Sequence, residues 1–159
     1  MLLRNDYDIF LGGTCSGSAW REDFLKLIEE KNPKIRCFNP IVDNWTKECI
    51  DLENFVKYHS KYHIYVITPN MVGVYSIAEM VDSVHDKTKK VYFYIQDTDI
   101  DSDGNTITWK SQEKNSLNAV ANMLILHGAY KSESLEDMIN KIVNDFNNTQ
   151  RPKSNVHWI

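Results

Sequence analysis

The chain has 159 residues, with 42% hydrophobic and 25% charged side chains, which fits one globular domain able to bury a core without disulfide or metal staples. Its 18 basic and 22 acidic residues leave a net charge of −4, so there is no positive excess to neutralise the phosphates of a nucleic-acid polymer. Small anions stay open as ligands, because backbone N–H groups can hold them without net positive charge.

Cys15, Cys37 and Cys49 form neither a CxxC pair nor an even disulfide set, which argues against zinc and for a reducing cytoplasm. The start MLLRNDYD carries charge too early for a signal peptide. No apolar stretch reaches the roughly 20 residues that span a bilayer.

Strand-like and helix-like segments alternate along the chain. Residues 7–11 (YDIFL) form an apolar run that stops at Gly12-Gly13. Over residues 19–30, Trp20, Phe24, Leu25, Leu27 and Ile28 recur at helical spacing, with Ser18 as the expected cap and Asn32-Pro33 as the stop. Residues 35–38 read as a second strand, closed by Asn39-Pro40. A polar loop leads to a helix over about residues 46–62, with Ile50, Leu52, Phe55, Val56 and His59 expected to face inward.

The run HIYVIT at 63–68 has the continuous apolar, β-branched character of a central strand buried on both faces. A loop through Asn70 and Gly73 then opens a helix over about residues 76–86, and VYFYI at 91–95 is the fourth strand. A polar insertion follows, with a hairpin expected around Asp103-Gly104. Helices are expected over about residues 112–127 and 135–147, the latter capped by Ser134 with Asp137 in its first turn, and a short segment over 128–130 lies between them. This alternation predicts an α/β fold with a mostly parallel sheet, whose ligand site lies beyond the C-terminal strand ends.

Three loops occupy that position. GGTCSGS brings glycines against a helix N-terminus, the geometry that approaches an anion, though it lacks both GxGxxG spacing and a P-loop lysine. In NPIVDNW, Asp43 and Asn44 can bond a base or sugar edge and Trp45 can stack on a flat ring, while Asx turns and a hydrophobic staple explain the same residues. In PNMVGVYSIAEM, Ser76 and Glu79 have the S-x-x-E form of a capping box. The same Glu79 would stand where a helix N-terminus favours negative charge, and could act as nucleophile or electrostatic stabiliser toward a sugar carbon.

Taken in order, FLGGTCSGSAWRE, FNPIVDNW and YVITPNMVGVYSIAEMVDS resemble the nucleoside 2-deoxyribosyltransferase-like family, in its bacterial and phage branch, over roughly residues 8–95. The resemblance implies a flavodoxin-like three-layer sandwich on a five-stranded sheet. It also implies cleavage of the N-glycosidic bond of a 2′-deoxynucleoside or its 5′-monophosphate, with the sugar passed to a second base or to water. Glu79 holds the place of the family nucleophile, which attacks the anomeric carbon and forms a covalent deoxyribosyl-enzyme, the two-step logic of a retaining glycosidase.

By the same resemblance Gly12, Gly13 and Thr14 line the sugar or phosphate side, Asp43 and Trp45 the base side, and Gly73 lies in the loop before the catalytic helix. Ser76 binds a sugar hydroxyl or the 5′-phosphate. Two positions depart from the family pattern. Phe10 stands where well-studied transferases carry a Tyr that positions the nucleophile. His63 stands where an Asp assists at the base, and a histidine with an ordinary pKa near 6.5 could protonate a departing base. The implied partners are a nucleoside or nucleotide, a free base and further copies of the chain in a homo-oligomer; no cofactor, metal or membrane is implied.

The alternative class is a module that binds a nucleotide without turning it over, with Glu79 kept as a cap and ligand contact. Cleavage of the nicotinamide–ribose bond of NAD uses similar chemistry but would want a second dinucleotide-binding lobe. Asp99, Asp101, Asp103 and Gly104 imitate a calcium loop, but Lys110 stands where that loop needs a bidentate Glu. Asp82, one turn past Glu79, is a further candidate for the pocket, whereas His85, His127 and His157 show no ligand spacing. The domain is expected to occupy residues 1–148, with a tail over 149–159 whose apolar end, Val156 to Ile159, would dock on a neighbour.

Overall fold

The computed structural model describes residues 7–15 and 17–150. Among these residues, seven strands and five helices follow one another as β1 (Ile9–Gly13), α1 (Trp20–Lys31), β2 (Cys37–Phe38), α2 (Lys47–His59), β3 (Tyr62–Ile67), α3 (Tyr75–His85), β4 (Lys90–Ile95), β5 (Thr98–Ile100), β6 (Thr106–Thr108), α4 (Ser111–Leu126), β7 (Tyr130–Lys131) and α5 (Leu135–Gln150). The main sheet has order β2-β1-β3-β4-β7 with every pair parallel. This is the flavodoxin-like sandwich, all-parallel where the sequence predicts a mostly parallel sheet.

β3 is central and buried along its whole length. Its side chains alternate between two cores, as the two-residue period of a strand requires. Ile64 and Val66 face Trp20, Phe24 and Ile28 of α1 and Met138, Ile139 and Ile142 of α5. Tyr65 and Ile67 face Met80 and Val84 of α3 and Leu117, Ala121 and Leu124 of α4. Each fully buried aliphatic side chain contributes about 1.5–3 kcal/mol.

Several local expectations change. The sheet needs Tyr62, so α2 ends at His59, where Ser60 turns to extended backbone, and β3 starts one residue early. Only Val56 of α2 is buried; Ile50 and His59 are exposed. Thr46 caps α2 by accepting the Cys49 N–H. Ser18 does not cap α1, which starts from Ala19 without a side-chain cap.

Ser134 accepts the Asp137 N–H as expected, and Asp137 in turn accepts that of Glu133. The insertion forms the β5–β6 hairpin, its turn held by Asp101 and its edge tied to the loop after β3 by Asn70 Nδ2 donating to Ile100 O. No helix among the described residues is long and apolar enough to cross a membrane. The expected docking segment 156–159 and His157 lie outside the described residues.

Candidate active site

The C-terminal end of β1 makes the floor of the site. Tyr65 lays its ring across Gly12, so that a Cβ at Gly12 would stand 2.3 Å from a ring carbon. Gly13 adopts φ +105°, a conformation that favours glycine, and turns the chain off the sheet. Thr14 then ties β1 to β3. Its N–H donates to Val66 O at 2.9 Å, and its Oγ1 accepts the Thr68 N–H at 2.9 Å.

Arg21, buried in the first turn of α1, fixes the loop from beneath. Its guanidinium donates to Thr14 O at 2.5 Å and to Gly13 O at 3.2 Å. Burial draws its pKa below the ordinary value, against the pull of Cys15, Glu79 and Glu53.

α3 supplies one wall. The helix starts at Tyr75 from Val74, so Ser76 is already inside its first turn and does not cap it. The Ser76 hydroxyl instead donates to Gly13 O at 2.9 Å, joining the head of α3 to the floor. Glu79 follows one turn later, 7% exposed, with Oε1 2.5 Å from Lys57 Nζ of α2. The Lys57 ammonium also lies 5.6 Å from the centre of the Phe10 ring, within cation–π range.

The facing wall comes from α2 and the loop before it. Trp45 stands 55% exposed just ahead of the Thr46 cap, and Ile50, Glu53 and Asn54 share the helix face that follows. Between the walls lies a cavity of about 310 Å³ that Phe10, Gly12, Gly13, Trp45, Ser76 and Glu79 all line. It adjoins a hollow of about 340 Å³ over the head of α1, with which it shares Cys15, Arg21 and Ile41. Partial burial, and secondarily the Glu79 charge, raise the Glu53 carboxyl above its ordinary pKa, while Lys57 and Arg21 pull it back.

Four expected residues stand elsewhere. Thr14 lies beneath the floor in the bonds just described. Asp43 is exposed and, with Gly73, does not line the cavity. His63 is buried in β3, its Nε2–H donating to Lys57 O at 2.8 Å and its Nδ1 accepting from Ser83 Oγ at 3.0 Å. Tyr65 extends that chain with its hydroxyl 2.7 Å from Ser83 Oγ. Burial lowers the His63 pKa to about 4, so at neutral pH the ring is uncharged and both nitrogens are engaged. Asp82 lines a separate depression, of about 260 Å³, together with His63 and Lys57.

Sequence reasoning missed Arg21, Glu53, Asn54 and Lys57. The spacing of 50, 53, 54 and 57 on one helix face was the available signal. The apolar residues point instead to a face through Leu52, Phe55, Val56 and His59, and Ile50 alone belongs to both.

The family described as nucleoside 2-deoxyribosyltransferase like has a sequence model that matches residues 6–98, a span from β1 to the start of β5 that contains every cavity-lining residue. Among curated proteins, none matches. A conserved protein from Enterococcus faecalis V583, known from its crystal structure, is similar in fold, with a TM-score of 0.57 and 14% identity over 87% of this chain and 98% of that one. With more than half of its length matched, and with the sheet order and the helix bearing Glu79 in place, this chain belongs to the nucleoside 2-deoxyribosyltransferase-like family.

Proposed function

We propose that the protein cleaves the N-glycosidic bond of a 2′-deoxynucleoside or its 5′-monophosphate and passes the sugar to a second base or to water. The observation that carries this reading is Glu79: a carboxylate one turn into α3, held by Lys57 and lining a cavity at the C-terminal edge of a parallel sheet. Its oxygen attacks the anomeric carbon as the base departs, and the resulting glycosyl ester is opened by the acceptor from the opposite face. Lys57 orients the carboxylate. Trp45 and Ile50 offer the apolar wall on which a base stacks.

The adjoining hollow at the head of α1 supports a 5′-phosphate, since backbone N–H groups there favour an anion. Val72, Val74 and Tyr75, large apolar groups exposed beside the cavity, support a homo-oligomer.

A second reading, nucleotide binding without turnover, is favoured by one observation: His63, the expected proton donor, is buried, neutral and doubly bonded outside the cavity. One assay separates the two. Wild type and Glu79→Gln are incubated with each deoxynucleoside and deoxynucleoside monophosphate, with and without a second base, and free base and exchanged nucleoside are resolved by chromatography. Base release or exchange by the wild type alone supports the enzyme; ligand binding without products by both proteins supports the module.

A further inference from the structure

With His63 withdrawn, a departing base needs another proton source. A neutral nucleobase is a poor leaving group as its anion, and protonating a ring nitrogen in the transition state is worth about 10²–10⁴ in rate. Among the described residues that line the cavity, Glu53 is the one carboxyl besides Glu79. We propose that Glu53 is the general acid of this site, delivering the proton to the leaving base and recovering it in the second half of the reaction. This rests on the glycosyl-transfer reading above.

The placement carries the argument. Glu79 projects from α3 on one wall and Glu53 from α2 on the other. Glu53 shares its wall with Trp45 and Ile50, the surface suited to hold a base, whereas Glu79 shares its wall with Tyr75 and Ser76. A sugar between them would therefore have the nucleophile on one side of its anomeric carbon and the acid beside the leaving base on the other. That division of labour is the one two carboxylates adopt around a glycosidic bond.

The environments of the two groups also differ. Lys57 is in direct ion-pair contact with Glu79. Glu53 is half-buried and held above its ordinary pKa, facing Glu79 from α3, Lys57 from its own helix and Arg21 from α1. A half-buried carboxyl held above its ordinary pKa, beside one paired with a lysine, is suited to the part of the acid. The other cavity groups are less suited: Arg21 donates to backbone carbonyls and keeps its proton at neutral pH, the Ser76 hydroxyl and the Cys15 thiol donate to Gly13 O, and Tyr75 stands on the Glu79 wall.

The steps balance. As the Glu79 Oε–C1′ bond forms and the C1′–N bond breaks, the Glu53 carboxyl proton moves to a nitrogen of the base, which leaves neutral. The Glu53 carboxylate then takes a proton from the incoming water or acceptor base as it attacks C1′ and the Glu79 ester bond breaks. Both carboxyls end as they began.

The test uses substrate pairs that differ only in the leaving group: 2′-deoxyguanosine against its 7-methyl cation, and 2′-deoxyuridine against its 5-fluoro analogue, each as nucleoside and as 5′-monophosphate. In single-turnover release of the base, which reads the first half-reaction alone, Glu53→Gln is expected to slow the unactivated member of a pair by roughly 10²–10⁴-fold and the activated member by less than about tenfold. Base release from the activated substrate doubles as proof that the variant folds. The wild-type rate on the unactivated substrate should fall as pH rises through the pKa of Glu53, and Glu53→Gln should lose that fall. Equal effects of Glu53→Gln on both members, or none on either, would overturn the assignment while leaving the glycosyl reading intact. If the wild type cleaves no member of either pair, the glycosyl reading fails and the role of Glu53 falls with it.

Discussion

At the N-terminal edge of the sheet, Asp145 of α5 accepts a hydrogen bond from the Tyr62 hydroxyl at 2.6 Å, and its other oxygen meets Lys90, with Lys61 at 3.7 Å. At the C-terminal edge, Glu79 meets Lys57 through one oxygen and lines an open cavity. Both are carboxylates with lysine partners, but the first has both oxygens taken by groups of the fold. A carboxylate has about four acceptor sites. One that is saturated by its own protein holds elements together, and one that faces a cavity keeps capacity for a ligand. The contrast predicts that the two ends respond to mutation in opposite ways.

The largest effect is expected at the cavity. Glu79→Gln should lower base release by roughly 10⁴-fold or more, the scale of losing a nucleophile, while the melting temperature moves by only a few degrees. Product chromatography and thermal melts on the same preparation read both quantities. An inactive variant that has also unfolded would break the contrast.

Next comes His63, which lies between the two edges. In the unfolded chain a histidine takes up its proton near pH 6.5, whereas in the fold it stays neutral down to about 4. The unfolded state therefore binds more protons across that window. Stability is complete above about pH 6.5 and falls as pH drops toward about 4, by roughly 3 kcal/mol in all. Urea midpoints measured across this range should show the fall in wild type and a flatter profile in His63→Gln.

Asp145→Asn inverts the Glu79 result, with turnover unchanged and stability lower by about 2 kcal/mol, or roughly 4–8 °C in melting temperature. Although partial burial opposes it, bonding from Lys90 and Tyr62 holds the Asp145 carboxyl below its ordinary range. Its contribution is thus present above about pH 4 and is lost as pH falls further. The wild type and Asp145→Asn should converge in denaturant midpoint at the acid end. The smallest effect is at Thr46, whose cap is exposed. Thr46→Ala should cost about 1 kcal/mol, and it should weaken ligand binding only through the α2 wall, as titration calorimetry would show.

The sheet was legible because β1, β2 and β3 grow from short apolar runs closed by Gly, Pro or Asn, and because HIYVIT has the unbroken hydrophobicity of a buried parallel strand. The floor of the site was legible for a related reason: Gly12 and Gly13 are demanded by a ring contact and a positive φ, constraints local enough to leave a motif. Lys57 and Glu53 were not legible. Lys57 touches Glu79 of α3 directly and Glu53 lines the cavity, and the pattern of a helix does not say whether the face it turns inward meets a core or a void. Ser76 shows the limit of a motif, since S-x-x-E fits a cap, yet the helix starts one residue earlier and the hydroxyl is used on Gly13.

The central claim is that Glu79 forms a bond to the sugar. Wild type mixed with a deoxynucleoside substrate, quenched in acid before turnover is complete and digested, should yield the peptide bearing Glu79 heavier by one deoxyribosyl group. Glu79→Gln should yield none. Base release by the wild type with the adduct on another residue, or with no adduct at any quench time, would contradict the account.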